Sequence, residues 1–261
     1  MSNSTNSSAS HVSLALVTGG SRGLGKSMAL HLTQRGVDVI LTYRTRADEA
    51  RKVVDAIRAM GRKAVALPLD AGDTKSFGPF VESVREALAD AWKRHDLDAL
   101  VNNAGHGAYA SFAQTSEAQF DDLMNTHLKG PFFLTQRLLP LIADGGRIVN
   151  VSSGLARFSL PGYAAYAVMK GGVEVLTRYL AAELGPRRIS VNTIAPGAIA
   201  TDFGGGAVRD NPELNAMIAG QTALGRVGVA DDIGGAVALL LAPESRWING
   251  QRIEASGGIH L

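Results

Sequence analysis

Between residues 13 and 255 the chain alternates short, nearly unbroken apolar runs with longer amphipathic ones. The short runs, expected as strands, are Ser13–Thr18, Asp38–Tyr43, Ala64–Leu69, Ala99–Asn102, Gly146–Ser152, Ser190–Ile194 and Arg252–Ala255. The longer runs, expected as helices, are Gly25–Arg35, Ala47–Met60, Lys75–Ala91, Ala118–Ala143, Gly162–Leu184 and Asp231–Leu241. Such alternation means βαβ units, and strands as uniformly apolar as VDVILTY need both sheet faces covered. The fold class expected is therefore α/β, a doubly wound parallel sheet with helices on both faces and ligands at the carboxyl ends of the strands. No Pro- or Ser-rich linker interrupts the pattern, so residues 12–261 are expected to form a single domain. The Ser/Asn-rich segment 1–11 reads as a disordered tail without the basic and apolar regions of a secretion signal.

Bulk properties narrow the functional classes. The 261 residues are 46% apolar and 19% charged, with a formal net charge of +2 and no cysteine. Disulfide and thiolate chemistry are thereby excluded, and a reducing, cytoplasmic setting is expected. No Lys/Arg-dense block suggests a nucleic-acid partner, and no apolar run approaches the roughly 20 residues that span a bilayer. No His/Cys/Glu set has metal-ligand spacing, so no metal is expected.

After the first strand comes Thr18-Gly19-Gly20-Ser21-Arg22-Gly23-Leu24-Gly25, opening an apolar-periodic helix. Glycines there let the backbone turn tightly and approach a phosphate, and the free amides of the helix attract the anion. In this context the pattern points to a dinucleotide. The second strand ends at Tyr43-Arg44-Thr45-Arg46, where an acid would hold a ribose 2′-hydroxyl. Arginines stand there instead. Arg22 and Arg44 suit a 2′-phosphate, so NADP(H) is expected over NAD; Arg46 fits better as a solvated charge.

Tyr166 and Lys170 lie four residues apart, one above the other on a helix, and Ser153 precedes them by thirteen residues. A nearby ammonium should lower the phenol pKa, and Ser153 could hydrogen-bond the same oxygen. Such a tyrosine can exchange a proton with an alcohol or a carbonyl.

TGGSRGLG, NNAG at Asn102–Gly105, IVNVSS at Ile148–Ser153, YAVMK at Tyr166–Lys170 and APG at Ala195–Gly197 occur in one order over nearly the whole chain. In this the chain resembles the short-chain dehydrogenase/reductase family, in particular the single-domain, Rossmann-type branch of 3-oxoacyl-[acyl-carrier-protein] reductases and carbonyl reductases. The resemblance implies an NADP-dependent oxidoreductase acting on a CH–OH/C=O pair. Tyr166 would be the general acid/base, Lys170 would hold the nicotinamide ribose, and Ser153 would polarise the carbonyl. Gly19, Ser21, Arg22, Gly23, Leu24 and Gly25 would line the pyrophosphate and adenosine ribose. Asp70 would contact adenine, although it reads equally as a loop acid, a role Asp73 fits better. Asn103 would lie along the cofactor, and Asn102 would tie strands together. Pro196, Gly197, Ile199 and Thr201 would form the wall at the nicotinamide.

One position departs from the family. An asparagine is usual before Leu-Lys-Gly in the long central helix, where it is thought to hold a water that links the lysine to solvent; here His127 stands in its place, with Asn125 two residues away. His127 could serve that relay, sense pH within it, or simply pack. For the substrate, Leu155, Phe158 and Tyr109 are candidate contacts, Arg157 could meet an acidic group, and the glycine-rich segment 202–226 reads as a lid. An acyl-carrier thioester, a free ketone, a quinone and a sugar all remain open. The apolar surplus of the two longest helices implies, by resemblance, a homodimer or a homotetramer. Two other readings stay open: a non-catalytic NADP-binding redox sensor on the same fold, and an NAD-dependent alcohol dehydrogenase.

Overall fold

The computed structural model describes residues 13–261, so the expected tail lies outside the described residues. Within them, seven strands form one parallel sheet: β1 (Leu14–Val17), β2 (Asp38–Tyr43), β3 (Ala64–Pro68), β4 (Leu97–Asn102), β5 (Ile142–Val151), β6 (Ser190–Pro196) and β7 (Arg252–Ala255), in the order β3-β2-β1-β4-β5-β6-β7. The helices are α1 (Gly23–Gln34), α2 (Ala47–Ala59), α3 (Phe77–Ala87), α4 (Glu117–Met124), α5 (Gly130–Leu138), α6 (Ala164–Glu183), the short α7 (Ala207–Asp210), α8 (Pro212–Gly220) and α9 (Ala230–Leu240).

The two-residue period of a strand explains how four residues of β1 serve two cores. Ala15 and Val17 join Met28, Val53, Ile57, Ile233 and Val237 on the face covered by α1, α2 and α9. Leu14 and Leu16 join Phe77, Val84, Leu134 and Leu138 on the other face. Chain progression reverses between β1 and β4, which are hydrogen-bonded neighbours. The crevice at their carboxyl ends is where such sheets bind ligands.

The expected long helix Ala118–Ala143 is not continuous. It is broken by a π turn over Asn125–Lys129 and by a 3-10 turn at Leu139–Leu141, and Ala143 already belongs to β5. β5 begins earlier than Gly146 because Ile142 pairs with Leu97 before the register shifts, Ala99 pairing with Arg147. The helix expected at Lys75–Ala91 is likewise divided into a 3-10 turn, α3 and a π turn. Apolar periodicity carries across these breaks, which is why it could not find them.

Candidate functional site

The turn from Thr18 to α1 owes its shape to its glycines. Gly19 and Gly23 have φ of +66° and +53°. A Cβ on Gly25 would lie 2.2 Å from the Gly19 carbonyl oxygen, so α1 can start only where a side chain is absent. The N-cap of α1, Arg22, makes no side-chain cap, leaving the first-turn amides to face the crevice. Asn103, at the end of β4, pins the turn: its Nδ2 donates to the Thr18 oxygen at 2.8 Å, and its own amide donates to Thr18 Oγ1 at 2.9 Å. Asn102 is buried and bonds Asn150 on β5 and Thr135 on α5, the strand-tying role expected of it.

The other expected cofactor residues converge on the same end of the sheet. Arg44 and Asp70 are exposed just beyond β2 and β3. Asp70 accepts from the Gly72 amide at 2.9 Å, closing its own turn, and Asp73 caps the adjoining 3-10 turn. Ser21 is buried, and Leu24 packs on the first core. Pro196 ends β6; Gly197 comes so near Ser256 that a Cβ would lie 2.9 Å from its Cα. Ile199 bridges to Gly228, and Thr201 faces Gly23 across the crevice.

Tyr166 and Lys170 are both buried on α6. Lys170 Nζ donates to the Val151 oxygen at 2.8 Å and stands 5.5 Å from the centroid of the Tyr166 ring. Ser153, two residues after β5, caps the following 3-10 turn, its Oγ accepting from the Leu155 amide at 3.2 Å. The expected depression of the tyrosine is not met. Burial pushes the phenol well above its ordinary value, and the nearby Ser153 hydroxyl offsets this only in part. Lys170 cannot do more because burial lowers its own pKa to about 7, so near neutrality it carries a fraction of its charge.

His127 enters this group through the π turn, which aims it inward beneath Gly105. Its ring meets that of Tyr166 edge-on at 5.1 Å, and a Cβ on Gly105 would lie 2.4 Å from its Cε1. Nε2 faces both the His106 carbonyl oxygen at 2.7 Å and the His106 amide at 3.3 Å; the shorter contact, to an acceptor, favours the tautomer with the proton on Nε2. Nδ1 is then a bare lone pair, buried and without a partner among the described residues. Burial, and after it the Lys170 charge, lowers the imidazole pKa to about 2, which favours the neutral ring and speaks against the pH-sensing reading. The His106 ring packs on that of His127 with centroids 5.3 Å apart, and its Nε2 lies 3.1 Å from Asp122.

The substrate candidates divide. Leu155 packs with Leu123, Tyr166 and Met169. Phe158 lies over Gly154, stacked edge-on against His260 at 4.7 Å. Tyr109 is 71% exposed and meets Tyr163 at 5.4 Å rather than Tyr166. Arg157 meets an internal acid: it forms a two-pronged pair with Glu254 (2.6 and 2.8 Å) and also donates to the carbonyls of Ile259 and His260. Segment 202–226, expected as a lid, holds α7 and α8, and its end is tied to the C-terminal segment through Thr222 and Ile259. Sequence reasoning missed Phe203, whose ring is 5.8 Å from that of Tyr166; an aromatic beside a glycine run in the lid was the available signal. Among the described residues no group of acids and histidines could hold a metal ion, and no helix is long and apolar enough to cross a membrane.

Known proteins are similar to this chain along most of its length. The family profile described as enoyl-(acyl carrier protein) reductase matches residues 19–260. The hydroxynaphthalene reductase-like protein Arp2 of Metarhizium brunneum is 37% identical over 257 residues, covering 94% of each chain. Among solved structures, the promiscuous reductase LugOII, which catalyses keto-reduction at C1 during lugdunomycin biosynthesis, is similar with a TM-score of 0.91 at 36% identity, over 97% of this chain and 100% of that one. The angucycline C-6 ketoreductase LanV with bound NADP is similar at 0.90 and 37%, over 94% of this chain and 95% of that one.

Proposed function

Because the chain belongs to the short-chain dehydrogenase/reductase family, we propose that it is an NADPH-dependent ketoreductase that uses Tyr166 as its proton donor. The observation that carries this reading is the buried pair of Tyr166 and Lys170 at the carboxyl end of β5, with Ser153 two residues beyond that strand, beside a glycine turn shaped for a phosphate. The turn fits a dinucleotide: Gly25 leaves a cradle that a Cβ would fill, and the first-turn amides of α1 have no side-chain cap. Gly19, Ser21, Gly23, Leu24 and Gly25 would hold the pyrophosphate side, Arg22 and Arg44 the 2′-phosphate, and Asp70 and Asn103 the adenine side and the length of the cofactor. Pro196, Gly197, Ile199, Thr201 and Lys170 would flank the nicotinamide. When bound, the nicotinamide supplies the hydride.

The chain's own residues handle the proton and the developing charge. Tyr166 delivers its proton to the carbonyl oxygen. The phenol is protonated near neutral pH, and burial, which raises its pKa, makes the tyrosinate left after donation costly, so that anion needs a neighbouring cation. Ser153 Oγ donates to the same oxygen as charge develops on it. Lys170 lies close enough to the ring to stabilise the tyrosinate left behind, and a pKa near 7 lets it take up or release a proton at modest cost. The bare Nδ1 of His127 takes the asparagine's part in accepting a hydrogen from a water beside Lys170.

The proposed substrate is a flat, fused-ring aromatic ketone. The Phe203 ring stands edge-on to the tyrosine, and further rings stand at Tyr163, which meets Tyr109, and at Phe158 after Ser153. The name of the Metarhizium relative, with its two-ring aromatic, agrees with such a lining. Phe132, Phe133, Val168, Val175 and Tyr179 are exposed on α5 and α6, which supports a homo-oligomer built through these helices.

The test is NADPH consumption against a panel of ketones with Tyr166→Phe run in parallel. The variant should bind NADPH as the unmodified chain does and lose about 10²–10⁴-fold in kcat. Turnover that survives the substitution would remove the tyrosine from the mechanism.

A further inference from the structure

Phe203 occupies a place that the proton-transfer chemistry does not require. Its ring stands edge-on to Tyr166 at 62°, yet the residue is 45% exposed, so it covers the tyrosine from the solvent side. Its other flank lies on Gly107 in the turn after β4, where a Cβ would come within 2.8 Å of Cε1 and 3.1 Å of Cζ. The ring thus bridges the lid and that turn directly over the proposed proton donor.

The backbone on either side differs in freedom. Before the ring, Asp202 is held by Arg22 and Arg209, and the Phe203 amide donates to Thr201 Oγ1 at 3.2 Å. After it come Gly204, Gly205 and Gly206, with φ of +60°, +76° and +83°. A Cβ on Gly204 or Gly205 would meet nothing within 4 Å. A ring on an anchored base, succeeded by open glycines, can turn without moving the crevice behind it.

We propose that Phe203 is a specificity-determining residue that turns off Tyr166 to lie against the face of a flat, fused-ring ketone held there. The proposal rests on the ketoreductase reading. A ketone reaching the Tyr166 hydroxyl must displace the ring from its edge-on contact. A fused aromatic offers an offset stack in exchange, so the ring keeps an aromatic partner. A saturated ring of the same size offers none. Gly107 sets the clearance in which the ring moves.

The test compares 2-tetralone with cyclohexanone, which share a six-membered ring ketone and differ by the fused benzene. Phe203→Leu should lower kcat/KM for 2-tetralone about tenfold, chiefly through KM, and lower that for cyclohexanone far less. Phe203→Tyr should restore the preference. Gly107→Ala, which crowds the ring, should shift the ratio in the same direction, and the double variant Phe203→Leu/Gly107→Ala should be no worse than the poorer single one. NADPH affinity, measured by fluorescence, reports that the crevice is intact. Equal losses on both ketones, or no loss on either, would overturn the role of Phe203 while leaving the ketoreductase reading standing. An unmodified chain that binds NADPH but turns over neither ketone, nor any other carbonyl compound, would overturn both.

Discussion

Lys170 shows how much a single buried charge can decide. Its ammonium is removed from water and given one carbonyl, that of Val151, so burial lowers its pKa from 10.5 to about 7. Between those values the unfolded chain binds more protons than the folded one, and stability rises with pH; below about 7 the full cost of burying the charge is present. Lys170→Met should therefore stabilise the protein most near pH 7, with the advantage shrinking toward pH 10 in calorimetric scans. An advantage that stays constant would mean that the lysine does not titrate in this window. The pairing of Tyr166 with Lys170 was legible in the sequence because helical spacing determines it. The direction of the tyrosine shift was not, because it depends on desolvation by groups from β5, the π turn and the lid.

At the scale of elements, the crevice depends on how closely α1 and α9 approach. Gly234 on α9 makes room: a Cβ there would lie 2.3 Å from Ser27 Oγ and 2.6 Å from His31 Cδ2. Gly234→Ala should cost about 1–3 kcal/mol, a fall in melting temperature of about 5 °C, and should weaken NADPH binding because α1 carries the glycine turn. A variant that melts lower but binds NADPH unchanged would show that α1 keeps its place. The sequence marked both helices by their apolar period. It did not mark the π turn at Asn125–Lys129, since one extra residue in a turn leaves the apolar pattern nearly intact while rotating the helix beyond it. His127 lies within that turn, beneath Tyr166.

At the scale of the whole molecule, Arg157 fastens the C-terminal segment to the sheet. Burial raises the Glu254 carboxyl, but hydrogen bonds from Arg157 and Arg252 outweigh it and hold the pKa at about 2. A depressed carboxylate contributes stability above its unfolded pKa, 4.5, and loses it as pH falls toward 2. Amides of residues 256–261 should therefore exchange faster as pH is lowered through that window, after correction for intrinsic rates. Arg157→Ala should bring the same loosening at neutral pH. Protection that is indifferent to both changes would assign the anchoring to the Thr222–Ile259 bridge instead.

The sequence by itself determined the βαβ order, the dinucleotide turn and the spacing of Ser153, Tyr166 and Lys170, because each rests on local geometry: strand period, helix period or a glycine φ. Only the tertiary structure decided which groups are dry and which are paired. It sent Arg157 to Glu254 rather than outward, held His127 neutral with one nitrogen bare, raised Tyr166 and set Phe203 over it. Burial and partners come from residues far apart in the chain, and no local pattern encodes them.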